Sequence, residues 1–191
     1  MMQVPQEFQS LIDYAETVRK IKDVPAKPVP CMNVISVGGP GTGKWAAALA
    51  YGEALQARKF IKNEPYKFDC AAAVSAGQRK RVLQTMLGQA AGGMLIIDNA
   101  HLLADQAAEA GAILAAADCV MALVGNRTGI EKLVRGNSTL AVKFPTIMDA
   151  DNRAEQRRQD ELRQNIKDAV TLTDDMKVGK PLQFRKPEFL K

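Results

Sequence analysis

The chain has 191 residues, 47% of them hydrophobic, with 26 Lys and Arg against 21 Asp and Glu and a net charge of +5. That content excludes a disordered chain and suits one α/β domain with a buried core and a small appendage. Basic side chains are interleaved with acids, as in "DADNRAEQRRQDELRQNIKD", which gives nucleic-acid binding no support, and no run approaches the roughly eighteen apolar residues of a membrane span. Cys31, Cys70 and Cys119 are odd in number, widely spaced and form no CxxC pair. They read as small buried hydrophobes, not as a disulfide framework or zinc site. The start, "MMQVPQEFQS", lacks a basic stretch followed by an apolar run, so a cytoplasmic, reducing location is expected.

Phe8, Leu11, Ile12, Ala15, Val18 and Ile21 recur at helical spacing, predicting an amphipathic helix from about Pro5 to Lys22. "DVPAKPVP" ends it as an extended connector, because proline lacks a donor and biases its predecessor away from helix. Residues 1–30 therefore form an N-terminal helix and connector. "CMNVISV" predicts a buried parallel strand, and "WAAALAYGEALQARKF" the helix that follows. "YKFDCAAAV" predicts a second strand, "GQRKRVLQTMLGQA" a helix and "GGMLIIDNA" a central strand closed by an acid. "DQAAEAGAILAAA" predicts a helix, "CVMALVGN" a strand, "TGIEKLVRG" a helix and "LAVKFP" a short last strand. Alternation of strands and helices over residues 31–149 implies a parallel sheet covered on both faces. After Asp149 the composition turns polar, giving one helix over roughly Asn152 to Val170 and a sparse tail within residues 150–191.

Between the first strand and its helix stands "GGPGTGKW". Gly38, four residues, Gly43 and Lys44 fit GxxxxGK, whose glycines let backbone N–H groups converge on phosphate oxygens while the lysine neutralises their charge. The helix that follows adds its N-terminal dipole. Gly39, Pro40, Gly41, Thr42, Gly43, Lys44, Trp45 and Ala46 are thus the candidate nucleotide-binding residues, for ATP or ADP with or without Mg. The position after the lysine should carry a hydroxyl for Mg²⁺, but Trp45 offers one N–H donor and no oxygen. Its indole is bulky enough to occupy space beside the phosphates. Asp98, closing "MLIID", stands where a Walker B aspartate would reach Mg through water. The next position, where many ATPases carry a water-polarising glutamate, is Asn99, an amide that accepts no proton. Loss of general acid–base catalysis costs about 10²–10⁴-fold in rate. No catalytic residue is therefore assigned.

On "CMNVISVGGPGTGK", "QTMLGQAAGGMLIIDNAHLL" and "VMALVGNRTGIEKLVRGN" followed by "FP", the chain resembles AAA+ ATPases of the CbbX/CfxQ type. That group includes red-type rubisco activase and modules in sporulation and type VII secretion proteins. The resemblance covers about residues 6 to 149 and is most specific over "GGMLIIDNAHLL". It implies a P-loop NTPase core of three layers, a parallel sheet between helices, with a helical C-terminal lid that is truncated here. It also implies ring assembly with ATP between subunits. The departures are Trp45 for the family's threonine and Asn99 for its glutamate. "AAAVSAGQ" lacks the pore-loop aromatic, and "GNSTLAVKF" has only Lys143 where the family carries an arginine. Such arginines are worth about 10³–10⁵ in rate. Asn126 is the one polar candidate for the sensor position.

Two functions follow as expectations. The first is a degenerate AAA+ module that binds ATP or ADP, hydrolyses it poorly or not at all, and serves as scaffold or regulator. Its partner would be an active AAA+ subunit or another complex, in a homo- or hetero-oligomer. The second is a divergent but active ATPase that remodels a protein target. His101, the single histidine, reads as packing at a helix start, "RKR" at 79–81 as a solvated helix face, and the alanine-rich stretch 105–117 as tight packing on the sheet. "KPLQFRKPEFLK" is either a docking tail or a frayed terminus.

Overall fold

A computed structural model describes residues 4–20, 31–73 and 75–153, and positions 155, 156, 158, 159, 161 and 164. Its contacts divide the chain into two units, Met1–Asp151 and Asn152–Lys191. In the first unit, helix α1 (Gln6–Lys20) precedes β1 (Val34–Val37), α2 (Lys44–Ala57), β2 (Tyr66–Asp69) and α3 (Ala76–Gln89). Then come β3 (Met94–Asp98), α4 (Ala107–Ala115), β4 (Val120–Gly125), α5 (Arg127–Arg135), α6 (Ser138–Lys143) and β5 (Thr146–Asp149). Short 3-10 segments, Cys70–Ala72 and Ala100–Gln106, follow β2 and β3. In the second unit the described positions up to 164 are helical. The remainder of the helix expected to Val170, the tail, the whole connector "DVPAKPVP" and the last two residues of the helix expected to Lys22 lie outside the described residues.

The sheet is wholly parallel, in the order β2-β3-β4-β1-β5. Side chains alternate across it with the period of two that a pleated strand imposes. Ile35, Val37, Leu95, Ile97, Met121 and Leu123 face one way, into a core completed by Leu83 of α3, Leu114 of α4, Ile130 and Leu133 of α5 and Leu140 of α6. Val34, Met94, Ile96, Ala122, Val124 and Met148 face the other way, against Phe8 and Ile12 of α1 and Ala48, Tyr51 and Leu55 of α2. Helices therefore cover both faces, and burial of each Leu or Ile stabilises by about 1.5–3 kcal/mol.

Tyr51 anchors the α1–α2 layer. Its ring centroid lies 5.0 Å from that of Phe8, and its hydroxyl donates to the Met32 carbonyl at 2.8 Å. Burial pushes its phenol pKa up. α2 also approaches the sheet closely at Gly52, where a Cβ would lie 2.5 Å from Pro65 Cγ and 3.0 Å from Met94 Sδ.

The expected strand over "LAVKFP" is overturned. Those residues begin inside α6, because the Asn137 side chain accepts from the Thr139 amide at 3.1 Å and starts a helix. Leu140 is buried while Val142 is 80% exposed, a helical and not a strand alternation. Pro145 follows the helix, and the strand comes after it, over Thr146–Asp149, where β-branched Thr146 and Ile147 suit extended backbone. The helix expected over residues 105–117 is likewise split, with the 3-10 segment Ala100–Gln106 before α4.

Gly52→Val should destabilise the fold by about 1–3 kcal/mol through overpacking against Pro65 and Met94. Urea unfolding followed by circular dichroism is the check, with Gly77→Val, at a helical glycine whose Cβ would meet nothing within 4 Å, as the control for helix propensity.

Candidate functional site

Five parallel strands bring their carboxyl ends to one edge of the sheet. Register pairs Val37 with Gly125 and with Asp149, and Asp69 with Asp98. The segment 38–43, the β4–α5 turn and the turn after β3 therefore meet there. Gly38 donates from its amide to the Gly125 carbonyl at 3.2 Å, extending the β1–β4 ladder into the loop.

The loop turns on glycine. Gly41 and Gly43 have φ of 74° and 83°, a left-handed backbone that side chains disfavour. Gly43 is the residue before α2 and supplies no side-chain cap. The first amides of that 14-residue helix thus have no intrahelical partner and, among the described residues, no side-chain cap from Gly43. Pro40 and Gly41 are exposed, whereas Thr42 and Ala46 are half-buried. Thr42 Oγ1 donates to the Gly39 carbonyl at 2.9 Å, and Lys44 Nζ donates to the same oxygen at 2.8 Å. Behind the loop, the buried Ser36 hydroxyl donates to the Lys44 carbonyl at 2.8 Å and ties the start of α2 to β1. Gly39 also donates its amide to Asp151 Oδ1 at 2.9 Å.

Trp45 is half-buried and packs against the apolar layer between α2 and the sheet. Lys67 Nζ on β2 stands 5.9 Å from its ring centroid. Asp98 is half-buried at the end of β3, and its Oδ1 accepts the Asn99 amide at 2.8 Å. Asn99 sits at φ 50° and donates Nδ2 to Asp69 Oδ1 at 2.9 Å. The same Asp69 oxygen accepts from the Ala71 amide at 2.8 Å. Asn99 thus fits its position twice over, as a residue that tolerates left-handed backbone and as a donor to a carboxylate.

Asn126 caps α5, accepting from the Gly129 amide at 2.8 Å. Lys143 donates to the carbonyls of Ala115 and Ala117 at 2.6 and 2.8 Å, satisfying the end of α4. Of the 79–81 segment, Arg79 donates to the Cys70 carbonyl at 3.1 Å and Lys80 pairs with Glu109, so this is not wholly a solvated face. Arg127 bridges Asp149 and Glu131. Asp151, Asp69, Arg127 and Asp149 had no motif to announce them. Their signal is positional, since Asp69 and Asp149 end strands whose carboxyl termini share the edge with Lys44.

His101 lies over the β4–α5 turn. A Cβ at Gly129 would stand 2.5 Å from His101 Cβ, and one at Gly125 3.1 Å from Nδ1, so both glycines admit the ring. Nδ1 is buried, with no hydrogen-bond partner among the described residues. Desolvation and then the Lys44 charge lower its pKa from the ordinary 6.5, against the opposing pull of Asp98. Burial raises the thiols of Cys70 to about 12 and Cys119 to about 11, leaving both poorly nucleophilic at neutral pH. Among the described residues no group of three or more His, Cys, Asp or Glu could hold a metal ion, and no helix is long and apolar enough to cross a membrane.

No model of a known protein family matches the chain, and no curated protein matches it significantly.

Two consequences can be measured. Because the folded His101 has the lower pKa, the unfolded chain binds the extra proton as pH falls below 6.5. The stabilisation contributed by neutral His101 is complete above that pH and is lost as pH falls through the folded pKa. His101→Gln should therefore flatten the decline of unfolding free energy between pH 6.5 and 5, measured by denaturant titration. Asn99→Glu should cost about 1 kcal/mol or more, since glutamate pays for left-handed backbone and faces the Asp69 carboxylate. Adding Asp69→Asn should recover part of that loss in the same assay.

Proposed function

We propose that the chain is a P-loop nucleotide-binding module with an AAA+-like core, which holds ATP or ADP at residues 39–46 and turns it over slowly or not at all. One observation carries this reading. Lys44 opens an uncapped helix directly after two left-handed glycines, at the edge of a parallel sheet where Asp98 also ends its strand. Converging free amides, a lysine and a helix N-terminus are what a polyanionic phosphate chain needs.

The weakness of the catalytic side follows from the same residues. Trp45 places an indole, not an oxygen, where a metal hydroxyl belongs. Asn99 donates to Asp69 instead of polarising water. Lys143 is spent on helix carbonyls and Asn126 on a helix cap. Each group that could assist phosphoryl transfer has a structural occupation. Binding without turnover suits a scaffold or regulatory subunit, with a catalytically active AAA+ protein as the partner class. The competing reading is a divergent ATPase that remodels a protein, with Lys44 and Asp98 sufficing for chemistry.

Calorimetry separates these readings from each other and from no nucleotide role. ADP and ATP should bind with nearly the same affinity in magnesium and in chelator, and Lys44→Ala should weaken both at least about tenfold. Phosphate release from ATP should match buffer. Turnover near about 1 per second, abolished by Lys44→Ala, would establish the active enzyme.

Restoring the missing groups is the complementary test. Trp45→Thr with Asn99→Glu should return magnesium dependence to binding while recovering little turnover, because "GNSTLAVKF" carries only Lys143 where the resemblance implies an arginine for the transition-state charge. A folded double variant indifferent to magnesium would mean that Asp98 is not at a nucleotide site.

A further inference from the structure

The Gly39 peptide is held from both sides by charged groups of the same chain. Its carbonyl accepts Lys44 Nζ at 2.8 Å and Thr42 Oγ1 at 2.9 Å, and its amide donates to Asp151 Oδ1 at 2.9 Å. Asp151 is itself positioned, because its amide donates to Asp149 Oδ1 at 3.0 Å. The other Asp149 oxygen pairs with Arg127 at the start of α5. A line of contacts thus runs from α5 through the end of β5 to the phosphate loop. The carboxylate lies close along the loop, since a Cβ at Gly38 or at Gly39 would stand in ordinary van der Waals contact with Asp151 Oδ1, 3.4 Å away.

We propose that Asp151 is an internal competitor of nucleotide, a carboxylate docked on the phosphate loop that a phosphate group must displace or work against. This rests on the nucleotide reading above and adds its regulation. A carboxylate on a backbone amide makes a charge-assisted hydrogen bond. It places a negative charge directly on the loop at Gly39. The same charge repels an incoming phosphate chain, and the Lys44 ammonium, folded back on the Gly39 carbonyl, must also swing away to meet that chain. Both contacts stabilise this arrangement of the loop, so a ligand that must break them binds less tightly. Asp151 is exposed, as a displaceable group should be.

Calorimetric titration of ATP and ADP into the full chain, in chelator, tests this with the parent, Asp151→Asn, Asp151→Ala and Lys44→Ala. Both Asp151 variants should bind about tenfold more tightly than the parent, in keeping with removal of one adjacent like charge. Thermal unfolding without ligand should show the variants slightly less stable, and the shift on adding ATP should be larger for them than for the parent. Binding by the parent with unchanged or weaker affinity in both variants overturns the competitor and leaves the nucleotide site standing. Absence of binding in the parent and in both folded variants overturns the nucleotide reading and the competitor with it. Binding by the variants alone is the strongest result in favour.

Discussion

Parallel strands cannot be joined by a tight turn. Each return to the start of the next strand needs a crossover of a dozen or more residues, and in this chain every crossover carries a helix. Those helices lie on the sheet, so most of both faces is buried and polar groups gather chiefly at its two ends, with Ser36 a buried exception and Lys67 exposed on the outer strand β2. The carboxyl end collects Asp69, Asp98, Gly125 and Asp149 by register alone. Whatever chemistry the molecule performs is shaped by that crowding of strand termini.

The crowding is resolved internally. Asp69 is taken by Asn99 and the Ala71 amide, Asp149 by Arg127 and the Asp151 amide, and Asp151 by Gly39. Lys44 turns to a loop carbonyl. A site poised for phosphoryl transfer keeps such groups aimed at the position of the reacting atoms. Here they are aimed at one another and at backbone. Departures that look like lost function in the sequence are, in three dimensions, residues well matched to other work, and Asn99 and Lys143 show this most plainly.

Much of the architecture was legible beforehand. The strands over Val34–Val37, Met94–Asp98 and Val120–Gly125 announce themselves as short, mainly apolar runs bounded by glycine or acid, because burial on both faces leaves little room for polar groups, and Ser36 is accommodated only through its bond to the Lys44 carbonyl. The region after α5 was misread for a definite reason. "LAVKFP" has enough apolar residues for either period, and the deciding signal was the Asn137 cap ahead of it. In the candidate site, Lys44 and Asp98 are the residues that spacing alone singles out. Asp151 could not be found that way, since its contact with Gly39 joins residues 112 positions apart and depends on β5 lying beside β1. Nor could the role of Lys143, whose partners are the carbonyls of Ala115 and Ala117, 28 and 26 positions away.

Trp45 is the only tryptophan in the chain, and it sits one residue beyond Lys44 in the first turn of α2. Its indole is half in the apolar layer and half toward solvent, with an ammonium group near the ring face. Indole emission responds to both polarity and nearby charge. Trp45 thus places the chain's single indole in that turn, so its state can be read optically, with excitation selective for tryptophan, in the unlabelled protein.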